Sequence, residues 1–151
     1  MATVRGGPLP PVLFLGALLL QWAAHALLPV AVVVPGAWRI LGAIPIAVGI
    51  GVMVVSDKQF KAVSTPISPF DTPSTLVTTG PFRFSRNPMY LGMVLVLVGG
   101  ALALGTLAPF LLPPMMAWVL ATRFIAMEEA AMSDVFGADY DAYKSHVRRW
   151  L

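Results

Sequence analysis

RNPMYLGMVLVLVGGALALGTLAPFLLPPMMAWVLATR, residues 86–123, carries no charge between its two terminal arginines. This run is long enough for two short helices that cross a membrane and return, because about 20 apolar residues span the hydrocarbon core. The glycines and proline at residues 99–109 are expected to supply the bend. Pro113 and Pro114 are expected to begin or kink the second helix, since proline lacks the amide donor that a helix interior needs.

Two further apolar stretches precede this hairpin, at residues 11–28 and 40–56. Each is about as long as the hydrocarbon core is thick. The composition agrees, with 58% hydrophobic and 11% charged residues among 151 and a mean hydropathy of +0.80. We therefore predict an all-α integral membrane protein with about four transmembrane helices, forming a single domain over residues 1–151.

The basic residues define the orientation of these spans. With both termini on one side, nine of the ten lysines and arginines share a face, and only Arg39 lies opposite. The positive-inside rule places that face, and both termini, in the cytoplasm. The net charge of +3 and a pI near 9.7 do not indicate a nucleic-acid partner, because the charges lie at span ends rather than in one patch.

An alternative interpretation concerns the N-terminus. Arg5, the apolar run and AHA at residues 24–26 resemble a cleavable signal peptide. We expect the first span to be retained, because the uncharged run continues past residue 26 and its removal would leave an odd number of spans.

The segments outside the spans have two different patterns. Residues 57–87 are rich in Ser, Thr and Pro, and Pro66, Pro69, Pro73 and Pro81 favour extended backbone there. From Met127 onward, apolar residues recur at helical spacing until Gly137 interrupts them. We expect an amphipathic tail of two helical pieces lying against the cytoplasmic face.

Metal and thiol chemistry is not expected. The chain has no cysteine and two histidines, His25 and His146. A Cys/His zinc site, an iron–sulfur cluster, a disulfide framework and a cysteine nucleophile are thereby excluded or disfavoured. We predict no metal site.

Polar residues gather at the entrance of the third span, namely Arg83, Arg86, Asn87 and Tyr90. Pro88 suits the first turn of a helix, so Arg86 and Asn87 are expected beside the unpaired backbone donors of that turn. Anionic groups are favoured at such a position.

A pair of carboxylates, Glu128 and Glu129, follows the fourth span. Adjacent helical residues point about 100° apart, so only one of the two is expected to face a central pocket fully.

Each of these residues also has a structural interpretation. Arginines at span ends commonly anchor a helix by reaching the headgroups, which is the alternative for Arg83 and Arg86 and the preferred interpretation for Arg123 and Arg149. Glu128 and Glu129 are then a solvated helix end. The remaining structural assignments are Tyr90, Trp22, Trp38, Trp118 and Trp150 as interfacial aromatics, His25 as a hydrogen-bonded packing residue, and Gly49 and Gly51 as helix-packing glycines.

Two stretches together, LVTTGPFRFSRNPMYLG at residues 76–92 and EEAAMSDVFGADYDAYKSHVRRWL at residues 128–151, resemble the paired signatures of the isoprenylcysteine carboxyl methyltransferase family and its phospholipid methyltransferase relatives. In that family, G-P-[YF]-x-x-x-R-[HN]-P-x-Y-x-G precedes a membrane hairpin, and Glu-Glu, F-G-x-x-Y-x-x-Y and a basic residue follow it. The matching residues are Gly80, Pro81, Phe82, Arg86, Asn87, Pro88, Tyr90, Gly92, Glu128, Glu129, Phe136, Gly137, Tyr140, Tyr143 and Arg149.

The resemblance implies a membrane methyltransferase that uses S-adenosylmethionine without a Rossmann fold. The donor would lie at the cytoplasmic side and a lipophilic acceptor would enter from the lipid, with the motif-bearing catalytic half at about residues 66–151. The cofactor-binding positions implied by the resemblance are Asn87, Pro88, Tyr90, Leu91, Gly92, Glu128 and Glu129. Arg86 and Glu128 are the implied catalytic residues.

One departure bears on the substrate. Isoprenylcysteine enzymes usually have histidine where this chain has Asn87, whereas many bacterial relatives carry asparagine, which disfavours a prenylcysteine acceptor and suits a bacterial inner membrane. Phospholipid N-methylation is the alternative activity. A sterol-reductase-like enzyme that uses NADPH and a non-catalytic membrane assembly protein are alternatives of other classes.

Overall fold

The computed structural model describes residues 9–63 and 74–151. Secondary structure in these ranges is helical apart from one isolated backbone bridge between Val32 and Thr106. The six α-helices of the described ranges are α1 (Pro10–Leu27), α2 (Ala43–Ala62), α3 (Pro88–Leu104), α4 (Leu112–Val119), α5 (Ala126–Phe136) and α6 (Ala138–His146). The predicted all-α fold is confirmed.

Shorter helical turns extend several of these helices. The 3₁₀ segment Gly36–Gly42 leads into α2, Gly80–Arg83 precedes α3, and Ala108–Leu111 leads into α4. A π-helical stretch, Leu120–Ile125, joins α4 to α5 without a break. The expected break at Gly137 separates α5 from α6.

The described chain contains three continuous helical segments long and apolar enough to cross a membrane, Pro10–Leu27, Gly36–Ala62 and Ala108–Phe136. The shorter apolar helix α3 has 17 residues, at the lower end of the range for a transmembrane helix. These four segments correspond to the four predicted spans. The chain is therefore an all-α integral membrane protein.

The segment between the second and third spans differs from the prediction. Helix α2 continues to Ala62, so residues 57–62 are helical rather than extended. Pro81 lies in the 3₁₀ turn Gly80–Arg83, where proline is accepted because the first amides of a helical turn need no partner within it. The predictions at Arg5, Pro66, Pro69 and Pro73 lie outside the described residues.

Helix α3 is the central helix and contacts α1, α2 and α4. It approaches α2 closely because glycines oppose one another. A Cβ on Gly49 would lie 2.5 Å from the carbonyl oxygen of Gly92, and one on Gly42 would lie 2.4 Å from that of Gly99. The predicted packing role of Gly49 is confirmed, whereas Gly51 faces open space. Such close backbone approach replaces the hydrophobic driving force that helices lack within lipid.

The bend between α3 and the last span lies at Gly105, which has a left-handed φ of 75°. Glycine reaches this conformation without a side-chain clash and commonly ends helices. We call this part of the bundle, with His25, Arg39, Gly105 and Thr106, the Gly105 end. His25 Nδ1 and Thr106 Oγ1 are hydrogen-bonded at 2.8 Å, and Arg39 Nε donates to the Val34 carbonyl at 3.0 Å. The predicted packing role of His25 is confirmed.

One buried polar side chain joins α1 to the centre of the bundle. Gln21 is 1% exposed, and its Nε2 donates to the carbonyls of Leu97 at 2.8 Å and Pro109 at 3.2 Å. An amide in a membrane interior needs such partners, because no water is present to supply them.

Candidate active site

The entrance of α3 is built by a short loop that ends at Asn87. The Asn87 amide donates to Ser85 Oγ at 3.1 Å, and its carbonyl accepts from the Leu91 amide at 3.0 Å, which closes the first helical turn. Pro88 begins the helix, as expected. The Asn87 side chain does not cap α3, so its amide group is free to bond elsewhere.

That loop is held by the segment 148–151. The Arg86 amide donates to the Arg148 carbonyl at 3.0 Å. The Arg149 carbonyl accepts from Asn87 Nδ2 at 3.1 Å and from Ser85 Oγ at 3.3 Å. Trp150 packs against the hydrophobic core. The two sequence signatures therefore meet in space, and the Trp150 ring is half-buried against the core rather than fully exposed.

Three charged side chains form a cluster, which we call the Arg86 cluster: Arg86, Glu129 and Arg149. Arg149 Nε donates to Glu129 Oε1 at 3.1 Å while its Nη2 pairs with Oε2. Arg86 Nη2 reaches Glu129 Oε1 at 3.0 Å. The Arg149 anchor prediction is corrected, since its guanidinium pairs within the protein. Hydrogen bonding to Glu129 raises the pKa of Arg149 above its usual value.

Burial gives this cluster its chemical significance. The Arg86 and Glu129 side chains are 13% and 16% exposed, whereas that of Arg149 is 42% exposed. Arg86 Nε is buried and has no hydrogen-bond partner among the described residues. A buried donor without a partner is costly, so it marks a place where a ligand atom could bind.

The second carboxylate lies in a separate environment. Glu128 accepts a short hydrogen bond from the Tyr90 hydroxyl, and Tyr90 is itself buried. The interpretation of Tyr90 as an interfacial aromatic is therefore wrong. The two neighbouring glutamates point different ways, as helical geometry requires, and each has its own partner.

A π-helical stretch immediately precedes these carboxylates. Thr122 Oγ1 donates to the Trp118 carbonyl at 2.8 Å, a bond that competes with the helical ladder. A wider turn changes the direction in which the following side chains point, and π turns are frequent at functional sites. Sequence analysis did not identify this feature, whose only signal is a hydroxyl residue within an apolar run.

Helix α6 contacts the loop that precedes α3. The Tyr143 hydroxyl donates to the Phe82 carbonyl at 2.6 Å, and the Phe82 ring lies 5.1 Å from that of Phe60. Burial raises the pKa of both Tyr140 and Tyr143 to about 12. Sequence analysis placed these tyrosines in the second signature but assigned neither a contact; their spacing on one helical face was the available signal.

An apolar groove of about 420 Å³ runs beside the cluster, between α2 and the start of α3. Ser85 and Pro88 line it near the cluster, and Val52 and Leu95 line its walls. Leu151, at the end of the segment that holds the loop, also lines it. The groove could therefore receive an apolar chain; Ser85, which lines it, is adjacent in sequence to Arg86.

Not every predicted site residue lies at the cluster. Asn87, Arg86 and Glu129 are joined there, Glu128 and Tyr90 form the neighbouring pair, and Leu91 lines the groove. Gly92 instead packs against Gly49 of α2. Arg83 and Arg123 are exposed, as the anchor interpretation requires, and so are Trp22, Trp38 and Trp118. The described residues contain no group of three or more His, Cys, Asp or Glu side chains that could hold a metal ion.

Comparison with known proteins connects this arrangement to a family. Protein-S-isoprenylcysteine O-methyltransferase of Schizosaccharomyces pombe is 32% identical over 72 residues, which are 48% of this chain and 30% of that protein. A Haemophilus influenzae protein named "Uncharacterized protein" is 38% identical over 63 residues, which are 42% of this chain and 100% of that protein. No solved structure matches the chain significantly. Residues 37–139, more than half of the chain, match the family described as phospholipid methyltransferase, and the chain belongs to that family.

Proposed function

We propose that this protein is an S-adenosylmethionine-dependent integral membrane methyltransferase that acts on a lipophilic or amphiphilic acceptor. The observation that carries the proposal is the joining of two distant sequence signatures at the entrance of α3. Arg86 pairs with Glu129, Asn87 bonds to Arg149, and Tyr90 bonds to Glu128. Membership in a methyltransferase family supports the use of a methyl donor.

The residues present fit the amino-acid part of S-adenosylmethionine. That part carries an ammonium and a carboxylate, and the site offers a carboxylate at Glu128 and a buried, incompletely paired guanidinium at Arg86. Charge-assisted hydrogen bonds of this kind are about twice as strong as neutral ones. We assign the ammonium group of S-adenosylmethionine to Glu128 rather than Glu129, because Glu129 is already paired with two arginines.

S-adenosylmethionine supplies a sulfonium-bound methyl group, which passes to an acceptor oxygen, nitrogen or sulfur and leaves S-adenosylhomocysteine. The residues of this chain contribute position and charge. Tyr90 orients the Glu128 carboxylate, and Arg86 holds an anionic group. The loop that ends at Asn87 fixes the entrance of α3, where the methyl donor would bind. Positioning of this type supplies much of the rate of a displacement that needs no covalent intermediate. Pro88 begins α3, Leu91 lines the apolar groove and Gly92 holds α3 against α2, so these three residues would shape the donor site indirectly.

The apolar groove supports a lipophilic acceptor. An apolar chain lying in it would contact Val52 and Leu95, and its polar end would lie towards Ser85, the residue before Arg86. Carboxyl methylation is our first choice, because a carboxylate acceptor needs no general base. Phospholipid amine methylation is the second candidate, and the family match favours it. An amine acceptor must lose a proton, and no residue is assigned as its base.

We further propose that residues 1–151 form one domain in a bacterial inner membrane, with both termini and the Arg86 cluster in the cytoplasm. The positive-inside distribution supports this orientation, since nine of ten basic residues share that face. A bacterial relative supports the location.

Titration of the detergent-purified protein with S-adenosylhomocysteine tests the proposal without knowledge of the acceptor. We expect saturable heat for S-adenosylhomocysteine and none for NADPH. Binding of NADPH alone would indicate a reductase, and binding of neither ligand would indicate an assembly protein. The result should be accompanied by transfer of a labelled methyl group from the donor into solvent-extractable lipid.

A matched pair of arginines tests the site itself. Arg86→Gln is expected to lower methyl transfer on the order of a hundredfold, because it removes a preorganised charge. Arg83→Gln removes the same charge three residues away from an exposed side chain and should leave transfer within about twofold. Equal losses in the two variants would refute the assignment of Arg86.

A further inference from the structure

The Arg86 cluster contains two guanidinium groups and one carboxylate. Arg149 occupies both oxygens of Glu129, with Nε at 3.1 Å from Oε1 and Nη2 on Oε2. Arg86 reaches Glu129 through one nitrogen only, Nη2 to Oε1 at 3.0 Å. Its Nε remains buried and unbonded among the described residues. The cluster therefore leaves one positive charge without an equal partner.

We propose that Arg149 is a positioning residue that holds Glu129 in a two-oxygen pair and thereby keeps the Arg86 guanidinium available for an anionic ligand group. The group that Arg86 would take is a carboxylate or a phosphate. This inference rests on the proposed function, since it names how one site of that function is kept open.

The geometry of carboxylate pairing decides which arginine Glu129 binds most strongly. A carboxylate forms its strongest contact with one arginine through two parallel hydrogen bonds. In this structure Arg149 makes that contact, although its side chain is more exposed than that of Arg86. Without the Arg149 guanidinium, Glu129 would be free to pair with Arg86 through both oxygens. The buried pair would then be neutral and would have little attraction left for an anion.

The segment 148–151 is also held by contacts that do not involve the Arg149 side chain. Its backbone carbonyls accept from the Arg86 amide and from Asn87 Nδ2, and Trp150 packs against the core. Substitution of the Arg149 side chain therefore changes the charge of the cluster while the backbone contacts remain. Arg148 offers a matched control. Its side chain is exposed, and its contact with the Arg86 amide is made by its backbone carbonyl.

The anionic group has two possible sources. One is the carboxylate of the methyl donor, and the other is an acidic group on the acceptor. S-adenosylhomocysteine and 5′-methylthioadenosine test the first source, because the second compound lacks the amino-acid ammonium and carboxylate; a loss on substitution of Arg149, which acts on Arg86, then reports on the carboxylate. Dodecyl phosphate and dodecanol separate the second source, because they share an apolar chain and differ in charge.

The experiment measures the dissociation constants of these four compounds by calorimetry on the full chain in detergent. We expect Arg149→Gln to weaken either S-adenosylhomocysteine or dodecyl phosphate by about tenfold, since a hydrogen bond to a charged group contributes on that order. The uncharged compound of the same pair should be unaffected. Arg148→Gln should change neither, and Arg149→Lys should restore part of the loss because it keeps the charge.

The double variant Glu129→Gln/Arg149→Gln gives the sharpest test. It removes the competing carboxylate, so Arg86 becomes available again and the anionic compound should bind more tightly than to Arg149→Gln alone. A residue that only stabilised the fold would not produce this reversal. Thermal melting in the same detergent checks that each variant is folded. If Arg149→Gln does not fold, the anion affinities of Arg149→Lys and the double variant are compared with that of wild type instead.

Three results would overturn the inference. They are equal anion affinity in wild type and Arg149→Gln, equal weakening of the charged and uncharged compounds, and a double variant that binds no better than the single variant. Failure of the proposed function is distinguishable, because it appears as wild-type protein that binds no S-adenosylhomocysteine while dodecyl phosphate still reports on Arg86. Wild-type protein that binds neither anionic compound refutes both.

Discussion

The two ends of α3 bury polar side chains in opposite ways. At the Gly105 end, the half-buried His25 is bonded to the buried Thr106, and Arg39 Nε donates to the Val34 carbonyl. At the other end, the buried Arg86 shares one carboxylate with a second arginine and keeps an unbonded Nε among the described residues. Both ends lie beside an apolar bundle of the same helices.

The difference separates polar groups that hold the fold from polar groups that await a ligand. Burial of a polar group without a partner costs free energy, so a fold that needs only stability matches its polar groups internally. At the Gly105 end, His25 and Thr106 do so. The unequal charges at the Arg86 end are explained if a charged ligand completes them, which is the basis of the proposed function.

The strongest test of this comparison is Glu128→Gln. We expect it to weaken S-adenosylhomocysteine binding roughly ten- to a hundredfold, because a charged hydrogen bond contributes about 1.5–3 kcal/mol. The melting temperature should change little by comparison. Asp134→Asn, on the exposed side of the same helix, should leave affinity unchanged in the same calorimetric titration. Equal affinities of wild type and Glu128→Gln for S-adenosylhomocysteine would show that the ammonium group of the ligand binds elsewhere.

A second test uses alkaline pH, which acts on the Arg86 end through α6. Burial raises the pKa of Tyr140 and Tyr143 to about 12, above the ordinary value of 10.0. Their contribution to stability is therefore complete below pH 10 and is lost as the pH rises towards 12. Ultraviolet absorbance should show tyrosinate forming near pH 12, and Tyr143→Phe should remove one titrating group. Titration of both near pH 10 would contradict their burial.

The smallest expected effect is at Gln21, in the centre of the bundle and away from the Arg86 end. Gln21→Leu removes the amide that donates to the Leu97 and Pro109 carbonyls. Hydrogen bonds between helices in membranes contribute about 0.6 kcal/mol on average, so we expect a loss of that order in the free energy of unfolding. Affinity for S-adenosylhomocysteine should be unchanged. A large loss of affinity with intact folding would show that the centre of the bundle and the Arg86 end are not independent.

The spans were predictable because they depend on local composition. The charge-free run between Arg86 and Arg123, the bend near Gly105 and the break at Gly137 all leave direct signals in the sequence. The continuation of α2 to Ala62 left no such signal, because the polar composition of residues 57–62 favours a loop.

The site was predictable only in part. The residue types at both signatures are visible in the sequence, but the pairing of Arg149 with Glu129 joins residues 20 positions apart, and the bond from Asn87 to Arg149 joins residues 62 apart. Such contacts follow from the tertiary arrangement rather than from local pattern. For that reason the local pattern predicts Arg149 as an anchor and gives no sign of its pairing with Glu129.

The length of α3 sets the depth at which the reaction would take place. With 17 residues, α3 is about 25 Å long, several ångströms shorter than a hydrocarbon core of about 30 Å. If its Gly105 end lies at one boundary, its Arg86 end stops short of the other, below the plane of the lipid phosphates. A membrane-dissolved acceptor could then meet the donor without rising into bulk water.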